Sequence, residues 1–133
     1  MRDSRDNPPM PRPEFSCSVS TRPLPEQSKP EAGAHAFAYT VRITNSGDIA
    51  AQLVGRHWII TDATGSIEEV RGLGVVGKQP LLQPGESFEY TSWLRLPTPS
   101  GTMRGTYFCM TDEAQPFEAT VGEFTLALAS ALH

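Results

Sequence analysis

An all-β chain, folded as a sandwich of antiparallel sheets, is what the sequence predicts, and three observations carry the prediction. Apolar and polar residues alternate with period two through one segment after another. Clusters of Asn, Asp, Gly and Pro interrupt those segments about every 8–15 residues, which suits about seven or more short strands. No apolar stripe of period 3.6 is long enough to build a helix. A closed barrel has the same inward and outward alternation, so periodicity leaves both architectures open.

The bulk properties bound the rest. A length of 133 residues fits one hydrophobic core. With 38% hydrophobic and 20% charged residues the chain is globular rather than membrane-resident. The longest nearly apolar run, Phe124 to Leu132, is about half of what a bilayer helix requires, so no membrane partner is expected. The start, Met1-Arg2-Asp3-Ser4-Arg5-Asp6, lacks the apolar region of a secretory signal. Cys17 and Cys109 have no CxxC partner, which excludes a disulfide scaffold or a cysteine-rich zinc site and suits a cytoplasmic location. A net charge of -4 removes the electrostatic footprint of a nucleic-acid partner.

Residues 1–14 hold Pro8, Pro9, Pro11 and Pro13 among charges and read as a disordered tail, with the domain occupying 15–133. Phe15 to Thr21 reads as a first strand; Pro23, Pro25 and Pro30 make Arg22 to Gly33 a loop or an edge. From Phe37, the residues Phe37, Tyr39, Val41 and Ile43 fall on one face of a second strand. Asn45-Ser46-Gly47-Asp48 then supplies turn chemistry for a hairpin whose return arm is Gln52 to Thr61. That arm is apolar on both parities. Asp62 to Gly65 reverses the chain into a short strand at Ser66 to Arg71, and Pro84-Gly85 turns it again into Ser87 to Leu96. Thr102 to Thr111 is the next strand, around Tyr107 and Cys109. In the last strand Phe117, Ala119 and Val121 are odd-numbered but Phe124, Leu126 and Leu128 are even. The buried parity therefore slips, which predicts a β-bulge within a residue or two of Gly122.

Gly72-Leu73-Gly74-Val75-Val76-Gly77 matches GxGxxG, and with Lys78 it matches most of a Walker A loop. Both nucleotide motifs need a helix whose free amides and dipole hold the phosphate. Pro80 and Pro84 stand where its first turns would be, and Gln79 replaces the magnesium-ligating Ser or Thr. The structural reading is a glycine-kinked connection between strands. The functional reading is a helix-free anion nest, with Gly72, Gly74, Gly77 and Lys78 clasping a phosphate or pyrophosphate weakly.

Successive blocks of the chain, Phe37 to Asn45, Gly55 to Asp62, Gly72 to Pro80, Pro84 to Glu86, Tyr90 to Ser92 and Gly101 to Tyr107, resemble those of the bacterial ApaG family in the same order. The resemblance spans about Phe15 to His133. It implies a fibronectin type III-like or immunoglobulin-like sandwich, and it does not imply an enzyme. The family name is tied to cobalt resistance and magnesium handling, and related domains occur in eukaryotic F-box proteins and a DNA-polymerase-associated protein, settings that suggest a recognition module.

Other residues point to no catalysis. Ser92 and Ser100 lack a nucleophile-elbow context, and Cys109 has no neighbouring histidine. His35, His57 and His133 lack metal-ligand spacing. Asp62, Glu68, Glu69, Asp112 and Glu113 sit in or beside turns, where convergence would make an oxygen site for a hard cation. Arg56, His57 and Trp58 combine the residue types enriched at binding hot spots, against the alternative that Trp58 anchors the core. The expectation is a non-enzymatic module with no cofactor that recognises an unidentified protein, sandwich edges being compatible with a homodimer. The competing reading is a small-ligand sensor for a phosphate compound or divalent cation at the glycine segment.

Overall fold

The alternating segments form eight strands in the computed structural model, which describes residues 11–128. Strands β1 (Phe15–Pro23), β2 (His35–Asn45) and β6 (Ser87–Leu96) make an antiparallel sheet in the order β1-β2-β6. Strands β3 (Ala51–Asp62), β4 (Ile67–Leu73), β7 (Ser100–Thr111) and β8 (Pro116–Ala127) make a second sheet in the order β4-β3-β7-β8. The two-residue β5 (Leu81–Leu82) pairs with the start of β3. The sheets pack face to face without sharing a strand, so the fold is a sandwich of the immunoglobulin-like or fibronectin type III-like kind and not a barrel.

Inward-facing residues of both sheets build the core. Phe37, Val41 and Ile43 come from β2, Leu53 from β3, Met103 and Tyr107 from β7, and Leu126 from β8, all almost wholly buried. Each such side chain contributes about 1.5–3 kcal/mol of transfer free energy. Trp58 is the hub, with edge-to-face contacts to Tyr39, Tyr107 and Phe124 at centroid separations of 5.7, 5.9 and 5.9 Å. Gly105, its cross-strand partner, makes room for it: a Cβ there would stand 2.5 Å from Trp58 Cε3. The two buried tyrosine hydroxyls, of Tyr90 and Tyr107, satisfy each other by a hydrogen bond.

The bulge expected near Gly122 is present. Met103 pairs with Phe124 and Gly105 with Val121, so two residues of β8 oppose one of β7 and the buried parity changes there. Gly122 does not take a positive φ, however, so the bulge is not the left-handed glycine type. A second bulge sits in β3. Leu53 pairs with Cys109 and Gly55 with Phe108, leaving Val54 extra, which is why that strand is apolar on both parities.

Two expectations are corrected. The segment after Asn45 is no hairpin: β2 and β3 lie in different sheets, and the chain arches between them. Buried Asn45 holds the arch. Its Nδ2 donates to the Ile49 and Leu82 carbonyls, both at 2.9 Å, and its Oδ1 accepts the Gly47 amide at 2.9 Å. The tail also docks earlier than Phe15. Residues 1–10 lie outside the described residues, but the Glu14 carbonyl accepts the Ser46 and Gly47 amides at 3.0 Å and the Arg12 carbonyl accepts Asp48 at 3.2 Å. Proline denies donors to this segment and leaves its carbonyls available. Pro23 is tolerated within β1 because β1 is an edge strand.

Candidate functional site

Past β4 the glycine segment closes on itself. The Val75 amide donates to the Lys78 carbonyl at 2.8 Å and the Lys78 amide to the Val75 carbonyl at 2.9 Å. Val76 and Gly77 take positive φ values of 43° and 79°, the geometry of a type I′ turn. No α-helix occurs among the described residues, in line with Pro80 and Pro84. The amide of Gly74 is also engaged, donating to the Val54 carbonyl at 2.8 Å. A nest of free amides running from Gly72 to Gly77 is therefore not formed, because turn closure and pairing use the donors it needs.

The carbonyls of this segment face a cation of the protein itself. Arg56 Nη1 donates to the carbonyls of Leu73 at 3.0 Å and Gly74 at 2.9 Å. Each glycine then has a backbone reason. A Cβ at Gly72 would stand 2.8 Å from the Arg56 guanidinium, and one at Gly74 would stand 2.4 Å from the Lys78 carbonyl oxygen. Gly77 supplies the second left-handed position of the turn. Lys78 is exposed beside it.

Arg56, His57 and Trp58 do not act as one patch, since consecutive strand residues point to opposite faces. Trp58 is 2% exposed and has no surface to offer a partner, which removes it as a hot spot. Arg56 turns inward under the glycine segment. Only His57 lies on the outer face of the sheet, its Nε2 2.8 Å from Glu69 Oε1. The turn carboxylates do not converge either. Asp62 Oδ1 accepts the Thr64 hydroxyl at 2.6 Å and the Thr64 and Ser66 amides at 2.8 and 3.1 Å. The Thr64 hydroxyl, with those amides, lowers its pKa. Asp112 and Glu113 follow β7, at the other end of the sheet. Among the described residues no group of three or more His, Cys, Asp or Glu is placed to hold a metal ion, and His133 lies outside them. Burial pushes the Cys17 thiol up to about 11 and Cys109 up to about 12, so neither is an activated nucleophile.

Two features were not read from the sequence. The first is a cleft of about 260 Å³ where the sandwich is open between β6 and β4, bounded by Tyr39, Arg56, Trp58, Val70, Val76 and Tyr90 among others. The second is an apolar strip on the outer face of the second sheet. In register across it run Leu73, Gly55 and Phe108, and in the adjoining row Leu81, Gln52 and Met110. Their apolar side chains are 78% (Leu73), 57% (Leu81), 38% (Phe108) and 38% (Met110) exposed. Phe108 and Met110 carried a signal, because they make β7 apolar on the parity opposite Tyr107 and Cys109. No helix of the described residues is long and apolar enough to cross a membrane.

Comparison with known proteins gives the chain its relatives. The family profile described as the ApaG domain matches residues 25–111. Protein ApaG of Ralstonia nicotianae is 57% identical over 124 residues, 93% of this chain and 100% of that protein. Protein ApaG of Bordetella pertussis is 58% identical over 120 residues, 90% of this chain and 92% of its own. The crystal structure of the putative ApaA protein from Bordetella pertussis superposes with a TM-score of 0.86 at 56% identity, covering 91% of this chain and 98% of that one. With the profile match over most of the domain, relatives more than half identical along nearly their whole length and a shared fold, the chain belongs to the ApaG family.

Proposed function

We propose that this domain is a non-catalytic module that recognises a partner protein through the apolar strip on the outer face of its larger sheet. One observation carries the reading: Leu73, Leu81, Phe108 and Met110 form two adjoining rows in register on the exposed face, bordered by a polar row of Arg71, His57 and Thr106. Contiguous exposed apolar surface with a polar rim is a mark of protein interaction sites. An acidic chain that presents leucine, phenylalanine and methionine suits an apolar protein face rather than a phosphate backbone. A non-catalytic role is supported by thiols and tyrosines that burial holds in their protonated forms. Any effect on cobalt or magnesium tolerance then runs through the partner. The phosphate-sensing alternative at Gly72 to Lys78 has weaker support, because only the Val76 and Gly77 amides of the turn are left without a backbone acceptor.

The test starts from affinity capture with the intact chain, then measures binding of the captured partner by calorimetry. Leu73→Ser combined with Phe108→Ser weakens binding by about tenfold or more if these are hot-spot contacts, while Glu69→Gln, beyond the polar row, changes it little. Equal binding by the double variant and the intact chain refutes the assignment. Loss of self-association in the double variant, with no partner affected, would replace the partner protein by a second copy of the chain.

A further inference from the structure

The two sheets are not sealed on both sides. At the β4 and β6 edges the cleft of about 260 Å³ reaches from solvent to the core residues Trp58, Ile60 and Met103. Its walls are mostly aromatic and aliphatic. Beside the hydroxyls of Tyr39, Tyr90 and Ser92, they carry two N–H donor groups that the protein leaves incompletely used.

The first is Arg56. Its Nη1 hydrogens go to the Leu73 and Gly74 carbonyls, while among the described residues Nε and Nη2 have no hydrogen-bond partner and no carboxylate pairs with the guanidinium. Two carbonyl dipoles hold the guanidinium in place without neutralising it. A half-buried cation beside apolar walls attracts an anion, and a planar fork suits the two oxygens of a carboxylate. The second is Trp58, whose indole Nε1 is buried with no hydrogen-bond partner among the described residues. Unpaired buried donors are rare and call for an explanation. The benzo edge of the indole, Cε3 and Cζ3, lies against Gly105 of β7. The pyrrole edge, carrying Nε1, is the opposite edge of the ring, away from Gly105, and Trp58 lines the cleft together with Val70, its register partner on β4. Nε1 is covered by its neighbours, and an acceptor reaches it through the side-chain adjustment that commonly accompanies binding. The rim also holds an outlier: Val76 keeps φ at 43°, a conformation costly for a β-branched residue, while presenting a 53% exposed side chain beside the cleft.

From these we infer that the inter-sheet cleft is a binding site for a small organic monocarboxylate with an aromatic or branched aliphatic body. The carboxylate is held by Arg56 Nε and Nη2, the body lies against Trp58, Val70 and Val76, and an oxygen reaches toward the unpaired indole N–H. A monoanion fits better than a phosphate dianion. One guanidinium in apolar surroundings cannot offset the desolvation of a second charge. The site is independent of the apolar strip, which lies on the opposite face of the same sheet.

The experiment titrates the intact chain with phenylpropionate, phenylpropanol, phenylpropylamine and inorganic phosphate, following the indole N–H resonances of Trp58 and Trp93. Trp93, 51% exposed on the outward parity of β6, also borders the cleft and reports contact at its solvent end. Phenylpropionate is expected to shift the Trp58 resonance saturably at millimolar concentration and to bind about tenfold or more tightly than the amine, the ratio of one charge-assisted contact. Arg56→Met is expected to erase the preference for acid over alcohol, and Ser92→Phe, which fills the cleft from its β6 wall, to abolish binding of both. Should Arg56→Met fail to fold, Ser92→Phe and the acid-to-amine ratio decide alone. The inference is overturned by a Trp58 resonance that does not move, by equal affinity for acid and amine, or by phosphate competing as well as the acid.

Discussion

The two long edges of the sandwich are built differently. On one, β1 lies against β8, with Phe15 and Phe117 edge to face at 5.4 Å and the Thr21 hydroxyl donating to the Thr125 carbonyl at 3.4 Å. On the other, β6 and β4 stand apart, and the space between them is held by a turn that buries Val75 and clamps Arg56. The closed edge contributes to stability by apolar packing, the open edge leaves polar groups and volume unused, and features that bind are drawn from the second kind of place. The largest expected effect follows. Phe15→Ala, at a 6% exposed residue, is expected to cost about 3–5 kcal/mol in urea denaturation, whereas Trp93→Ala on the open side stays within about 0.5 kcal/mol. Comparable losses would mean that Trp93 seals its edge as Phe15 does.

Alkaline titration sharpens the same contrast from inside the core. Cys17 of β1 and Cys109 of β7 keep their protons up to about 11 and 12, and Tyr90 and Tyr107 are raised as well, in each case chiefly by desolvation. The unfolded chain releases these protons near the ordinary values of 9.0 for cysteine and 10.0 for tyrosine. Stability is therefore full below about pH 9 and falls as pH rises, by about 1.4 kcal/mol per pH unit for each group whose proton only the folded state retains. In a Tyr39→Phe background, tyrosinate absorbance is expected to appear together with unfolding measured by circular dichroism. Tyrosinate appearing well before unfolding would show that water entering at the open edge already solvates Tyr90.

Strands of both edges were legible in the sequence, for a physical reason. Strand identity depends on local alternation, and Ser87 to Leu96 emerged with the same bounds in the fold. The bulge near Gly122 was legible because one extra residue moves every later side chain to the other face. The same slip in β3, between Leu53 and Gly55, reads as a strand covered on both faces, since Leu53 and Val54 are both apolar and Gly55 adds no side chain to mark the change. Asn45 to Asp48 carries hairpin chemistry, yet whether a chain returns beside its strand or arches to the facing sheet depends on where Asn45 finds carbonyls, and Leu82 is distant in sequence. The cleft and the apolar strip require knowledge of which strands are neighbours, and no local pattern contains that.

The glycines give the smallest and most discriminating comparison, one from each side. Gly74, in the open-edge turn, has φ at 65° and would place a Cβ 2.4 Å from the Lys78 carbonyl oxygen, part of the backbone and unable to swing aside. Gly74→Ala is expected to destabilise by about 1–3 kcal/mol and, by disturbing the carbonyls that hold Arg56, to weaken carboxylate binding in the cleft. Gly122, in the bulge of β8, has an ordinary φ and nothing within 4 Å of an added Cβ. Gly122→Ala is therefore expected to stabilise by about 0.4–1 kcal/mol, by restricting the unfolded chain. Opposite signs in parallel urea melts would show that glycine is required where the edge is held open and is incidental where the parity slips. A destabilised Gly122→Ala would instead mean that the bulge relies on a conformation only glycine samples freely.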